Sequence, residues 1–285
     1  MKQIVVISGK GGTGKTIVTS SFAALAKNKV MADCDVDAAD LHLILEPDIK
    51  ERHIFKSGFT ARVNREKCGE CGKCREICRF DAVTDDFRVD PVSCEGCFFC
   101  SRVCPEGAIE MVENTTGEWF LSGTRFGPMV HAKLGVAEEN SGKLVTLVRN
   151  KAKEVAEEKG CDTVIIDGSP GTGCPVIASL SGVDLALVVV EPTMSGLHDA
   201  DRVIRVAERF GIRTSMIINK YDLNMEVTSR IAVFSGEKGI ELLGKIPFDS
   251  KVVSALIEKK TTPEVPGCEA GEAIREIWGK ILVRV

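Results

Sequence analysis

Eight of the twelve cysteines in this 285-residue chain fall into two copies of one spacing. The first copy is Cys68-x2-Cys71-x2-Cys74-x3-Cys78. The second is Cys94-x2-Cys97-x2-Cys100-x3-Cys104, followed by Pro105. Thiolates are soft ligands, and cysteine at this density points to metal binding rather than to structural disulfides. A second chemistry stands upstream. The segment GKGGTGKT, Gly9 to Thr16, fits G-x4-G-K-[ST] with Gly9, Gly14, Lys15 and Thr16 in register. Such a loop, with Gly11, Gly12 and Thr13 between, turns backbone N–H groups toward phosphates. Its lysine reaches the β- and γ-phosphates, and the Thr16 hydroxyl binds Mg²⁺.

The cysteine spacing is the ligand pattern of bacterial-type ferredoxins, in which the first three cysteines of a run hold one cubane and the fourth ligates the other. The pattern implies Cys68, Cys71, Cys74 and Cys104 around one [4Fe–4S] cluster, and Cys94, Cys97, Cys100 and Cys78 around a second. Zinc is the alternative for paired C-x2-C motifs, but a tetrahedral zinc site has no use for the third and fourth cysteine of each run. Arg79 follows Cys78 where Pro105 follows Cys104, and an arginine near a cluster would alter its potential without removing a ligand. The halves form an internal repeat of about 26 residues.

Short apolar runs alternate with helical patterns through the rest of the chain. Strands are expected at Gln3–Ile7, Val30–Asp33, Thr163–Ile166, Leu185–Val190, Ser215–Ile218 and Glu241–Ile246. Helices are expected at Ile17–Lys27, Leu144–Lys159, Asp199–Phe210 and Met225–Phe234. This alternation predicts a doubly wound parallel sheet covered on both faces. The stretch 60–112 breaks the rhythm, so the chain reads as a discontinuous α/β P-loop domain, 1–59 and 113–285, with an inserted α+β module. The helical C-terminus, Ala270–Val285, gathers Ile274, Ile277, Trp278, Ile281, Leu282 and Val285 on one face, and its mixed polar face predicts packing on the core rather than on a membrane.

With Lys10 inside the loop, KGGxGK[ST] is the deviant signature of the MinD/ParA family, which includes the nitrogenase iron protein and the Mrp-type cluster carriers. The chain resembles that family over most of its α/β part. From end to end, including EPTMSGLHDADR (Glu191–Arg202) and SGKL (Ser141–Leu144), it looks like the members with an inserted ferredoxin domain. The resemblance implies an ATPase that binds ATP/ADP and Mg²⁺, with Lys10 crossing a dimer interface to the partner subunit's nucleotide. It implies that Asp35, in MADCDVDAADLHL, orients or deprotonates the attacking water, with Asp33 and Asp40 assisting. Asp167, ending the apolar run of VIIDGSPGTG, is the Walker B candidate for Mg²⁺, alongside Thr16 and Asp35. Gly171 and Gly173 suit a second switch. Asn219, in IINKYD, would hydrogen-bond adenine, with Pro247 packing near the base; Asp222 keeps GTP open.

Bulk properties narrow the rest. A formal net charge of −4 argues against a general nucleic-acid binder. No apolar run reaches bilayer length and the N-terminus lacks a signal-peptide pattern, so the reading is a cytoplasmic protein without membrane association. Cys34, Cys161 and Cys268 read as small buried hydrophobes. Cys174 lies seven residues after Asp167, where the nitrogenase iron protein has a cluster ligand, but the second ligand of that protein has no counterpart here. His131 and His198 read as loop residues near the switches. The expected function is an ATP-hydrolysing iron–sulfur protein coupling its nucleotide cycle to electron transfer or metal-cluster assembly on a partner. The expected assembly is a nucleotide-dependent homodimer, or a heterodimer with a paralogue. The alternatives are a cluster carrier or scaffold, and a MinD-type positioning ATPase with structural clusters.

Overall fold

The computed structural model describes residues 1–135 and 141–284. In chain order the elements begin with β1 (Lys2–Ser8), α1 (Lys15–Leu25), β2 (Lys29–Asp33), α2 (Leu41–Leu45) and β3 (Asp48–Val63). Two short helices follow, α3 (Lys73–Ile77) and α4 (Phe99–Val103), then β4 (Ile109–Thr124), β5 (Gly127–Leu134) and α5 (Ser141–Lys159). The chain continues through β6 (Thr163–Pro170), α6 (Cys174–Leu180), β7 (Leu185–Val190), α7 (Met194–Arg209), β8 (Thr214–Asn219) and α8 (Met225–Glu237). It closes with β9 (Glu241–Ile246), α9 (Lys251–Ile257) and α10 (Glu269–Leu282).

Nine strands form one sheet in the order β3-β4-β5-β2-β6-β1-β7-β8-β9. From β5 to β9 every neighbouring pair is parallel. β1 lies between β6 and β7, so its C-terminal end opens where the strand order reverses, the usual ligand position in such sheets. β1, β2 and β7 have almost no solvent-facing side chain, as expected of strands covered on both faces. On one face α1 and α10 pack with Phe22, Ile274, Ile277 and Trp278 over Ile4, Val6, Met31 and Ile165. α5 packs against β2, β5 and α6.

The expected strands all form, lengthened by one to four residues where they differ. The sheet is not purely parallel, however. β4 and β5 are joined by only two residues, which suits an antiparallel hairpin. The β3–β5 region departs from the expected pattern, because β3 reads DIKERHIFKSGFTARV with polar residues on both faces and shows no apolar run. α10 packs as expected through Ile274, Ile277, Trp278 and Ile281, but Leu282 is exposed. Val285, assigned to the same face, lies outside the described residues.

The chain divides into two compact units. Among the described residues, the first holds 1–53, 118–134 and 141–284, and the second holds 54–117 with 135. The second is wider than the cysteine-rich stretch 60–112, because the 16-residue strands β3 and β4 extend beyond it.

Candidate functional site

In the first unit, the loop between β1 and α1 gathers the phosphate-binding residues at the C-terminal end of β1. Gly12 and Gly14 take positive φ, 78° and 90°, which L side chains rarely adopt. Gly9 is required for a different reason: a Cβ there would meet the Asp199 backbone at 2.3 Å. A cavity of about 510 Å³ opens here, lined by Gly11 to Thr16, Asp35, Asp40 and the apolar Ile44 and Leu256.

Lys15 is buried beneath it and holds two acids, Asp167 Oδ1 at 2.9 Å and Asp35 Oδ2 at 3.2 Å. Thr16 and Thr19 each donate to Asp167 at 2.9 Å. The end of β2 and the middle of β6 bring Asp33 and Asp167 into register on adjacent strands. Burial opposes charge on Lys15, but the attraction of Asp167 and Asp35 outweighs it and holds the ammonium above its usual range. Burial, then the nearby Asp167 carboxylate, pushes Asp33 well above the usual carboxylate range. Burial likewise raises Asp35, partly offset by Lys15. Asp33 Oδ2 and Thr13 Oγ1 are buried without a hydrogen-bond partner. Orphaned polar atoms beside a phosphate loop and an acid cluster fit a site built for a nucleotide and its cation.

Lys10 is held in its own chain, with Nζ 2.6 Å from Glu191 and 3.3 Å from the hydroxyls of Thr193 and Ser195. Glu191 opens the EPTMSGLHDADR segment just past a buried strand, but nothing in that segment ties it to Lys10. Asn219 uses its amide NH₂ on the Thr13 carbonyl at 2.8 Å and its side-chain oxygen on the Lys220 amide at 3.0 Å, bracing the phosphate loop. Asp222 accepts from the Phe248 amide at 2.7 Å. Neither Asn219 nor Pro247 lines the cavity.

Two histidines differ from expectation. His131 is in β5, buried, bonded to Ser122 Oγ at 2.9 Å and stacked on Phe120. Burial, then the charge of His42, lowers its pKa to about 4. His198 is an exposed residue of helix α7. Cys34 and Cys268 are buried, Cys161 is half-buried, and Cys174 is exposed at the start of α6.

In the second unit the eight run cysteines ring two small cavities of equal size, about 20 Å³ each. Cys68, Cys71, Cys74 and Cys104 line one, and Cys78, Cys94, Cys97 and Cys100 line the other. The backbone repeats with the sequence. Glu70 and Gly96 have φ of 52° and 60°, Gly72 and Phe98 have 78° and 66°, and Asp81 and Gly107 have 51° and 57°. α3 and α4 each begin after such a left-handed residue and end at the fourth cysteine of the run. Phe98, where the first half has Gly72, meets Phe59 edge-on at 5.0 Å. Gly96 has no room for a side chain, since a Cβ would lie 2.3 Å from the Phe59 carbonyl oxygen. The Ala108 amide donates to Cys104 Sγ at 3.3 Å. Among the described residues, no three His, Cys, Asp or Glu side chains are gathered as a single-ion site.

The family model of the CobQ/CobB/MinD/ParA nucleotide binding domain matches residues 4–262. An uncharacterized protein of Methanocaldococcus jannaschii is 35% identical over 98% of this chain and 96% of its own length. The septum site-determining protein MinD of Synechocystis is 24% identical over 97% of this chain and 89% of its own. Among solved structures, the cell division ATPase MinD of Pyrococcus furiosus superposes with a TM-score of 0.60 at 18% identity, covering 100% of this chain and 99% of that one. MinD in the MinC:MinD cell division complex of Aquifex aeolicus gives 0.58 at 20%, covering 99% and 96%. At these identities the structural likeness shows the fold.

Proposed function

The chain belongs to the CobQ/CobB/MinD/ParA nucleotide-binding family, and from that premise we propose that it is an ATPase carrying two [4Fe–4S] clusters and coupling its nucleotide cycle to electron transfer or metal-cluster assembly on a partner protein. The observation that carries this reading is the crossed grouping of the eight cysteines into two four-thiol cavities. A single zinc ion would draw four sulfurs to within about 4 Å of one another. A cubane takes one thiolate per iron, so its ligands surround a volume. Each of the two cavities is lined by four thiols, one for each iron of a cubane. Cys68, Cys71, Cys74 and Cys104 would hold one cluster, and Cys94, Cys97, Cys100 and Cys78 the other. Bound there, the clusters supply one-electron chemistry at potentials that hydrogen bonds to sulfur help to set.

On the nucleotide side, Lys15 turns from Asp167 and Asp35 toward the phosphates. Thr16, Asp35 and Asp167 would hold Mg²⁺, whose charge would replace the lysine's beside those acids. Asp35, raised by burial and lining the cavity, is suited to orient or accept a proton from the attacking water. Lys10 would exchange Glu191 for the phosphates of a partner subunit, so the Lys10–Glu191 pair opposes dimer closure until nucleotide is present.

Anaerobically purified protein is expected to contain iron and sulfide and to hydrolyse ATP. Cys71→Ser with Cys97→Ser is expected to abolish coupling to the partner while leaving ATP binding intact; coupling that survives in this variant, or a preparation free of iron, overturns the reading. Transfer of iron and sulfide to an apo-protein, rather than electron transfer with the clusters retained, would select the carrier role.

A further inference from the structure

The second unit holds a third cavity, a groove of about 500 Å³, that neither the nucleotide site nor the cysteine cavities account for. Its volume is that of a small-molecule site, roughly 300–1,000 Å³. Its lining includes three arginines, Arg62, Arg65 and Arg88, and no acidic residue. Most of the remaining wall is apolar, and Phe87 is its one aromatic residue. A basic groove with an aromatic wall matches a ligand that is anionic at one end and flat at the other.

The loop that presents these groups is strained. Phe87 has φ of 54°, an outlier for a bulky side chain. A local network holds it there. The Phe87 amide donates to the Thr84 carbonyl at 3.0 Å, the Arg88 amide to Thr84 Oγ1 at 3.0 Å, and Arg65 to the Asp86 carbonyl at 2.7 Å. Strain maintained in this way places Phe87 and Arg88 in the same groove.

Arg65 spends one nitrogen on the Asp86 carbonyl and keeps its other N–H groups. Arg65 lies 3.5 Å from Glu70 and Arg88 3.0 Å from Asp86, but both pairs are solvent-exposed and weak enough for a ligand anion to displace the carboxylate. Arg62 has no ion-pair partner among the described residues.

The groove shares walls with both cysteine cavities. Val63 and Phe87 also line the cavity of Cys68, Cys71, Cys74 and Cys104, while Ala61 and Val89 also line the other. An occupant therefore stands one side chain away from each set of thiols. We propose that this groove binds a small organic anion, a phosphate or carboxylate group gripped by Arg62, Arg65 and Arg88 with a flat ring against Phe87. Binding itself does not depend on the cluster reading, although the position beside both thiol sets gives the ligand a place in that chemistry.

The test uses the full chain, purified anaerobically, with saturating MgADP to occupy the phosphate loop. FMN serves as the anionic ring, riboflavin as the same ring without the phosphate, and inorganic phosphate as the anion alone. Saturable FMN binding is expected, with riboflavin weaker by about tenfold, the worth of one charge-assisted hydrogen bond. Inorganic phosphate should compete. Arg62→Ser and Arg88→Ser should each weaken FMN by about fivefold to tenfold, with ADP affinity unchanged. FMN that fails to saturate, that binds no better than riboflavin, or that binds the arginine variants as well as the parent overturns the proposal. Iron measured on the same samples reports separately on the cluster reading.

Discussion

The phosphate loop and the cysteine loops differ in what holds their functional side chains. Around the phosphate loop, side chains hold one another: Lys15 with Asp167 and Asp35, Thr16 and Thr19 with Asp167, and Asn219 with Thr13. Around the cysteines the backbone sets the positions. Left-handed residues recur at matching places in both halves, and α3 and α4 contain no buried residue. The first kind of site is sensitive to which side chains are present. The second is sensitive to spacing and to backbone room, and it tolerates Gly72 in one half where Phe98 stands in the other.

Lys15→Ala should break the first site most severely. Turnover should fall by about a hundredfold or more, since the group neutralising the transferring phosphate is gone. Asp33, Asp35 and Asp167 lose their shared cation, so stability should drop by about 3–5 kcal/mol or the acids should take up protons. Phosphate release and thermal melting check both effects, and iron content should not change.

Packing sharpens the contrast next. Trp278 is buried and lies against Phe22 with ring centroids 4.9 Å apart, so Trp278→Ala should cost about 3–5 kcal/mol in urea melts. Phe99→Ala, in exposed α4, should cost no more than about 0.5 kcal/mol.

The first unit should also be sensitive to acid through His131. Its folded pKa is depressed, so the stability from the neutral ring is present above about 6.5 and is lost as pH falls toward 4. The whole loss amounts to about 3 kcal/mol. Stability measured from pH 7 to pH 4 should show this slope, and His131→Asn should flatten it.

Within the cysteine unit, two glycines separate backbone conformation from backbone room. Gly96→Ala adds a clash with the Phe59 carbonyl to the cost of a left-handed residue, together about 2–4 kcal/mol. Gly72→Ala meets nothing within 4 Å and should cost about 1 kcal/mol. Thermal melting ranks the two. Equal losses would mean that backbone room does not distinguish the halves.

Much of this architecture is legible in the amino-acid sequence. The buried strands announce themselves as apolar runs because both faces of each must be covered, as in LALVVV of β7. β3, β4 and β5 are not legible in that way, since polar and charged residues interrupt their apolar alternation. His131 reads as a loop residue for that reason. Nothing local ties Glu191 to Lys10, because most of the first unit's sequence lies between them. Asn219 is assigned to the base by its place in the chain, while its bonds run to the phosphate loop.

Motif spacing by itself determined the phosphate loop, the two cysteine runs and their repeat. Such features are written over a few residues, where chain geometry leaves little freedom. Tertiary structure alone decided that Lys15 is clasped by Asp167 of β6 and by Asp35 of the loop after β2, that Lys10 is tied to Glu191, and that three arginines line one groove. Each of those contacts joins residues that are far apart along the chain or carried by different loops. Their meeting depends on how the strands order and the loops turn, and no local pattern encodes that.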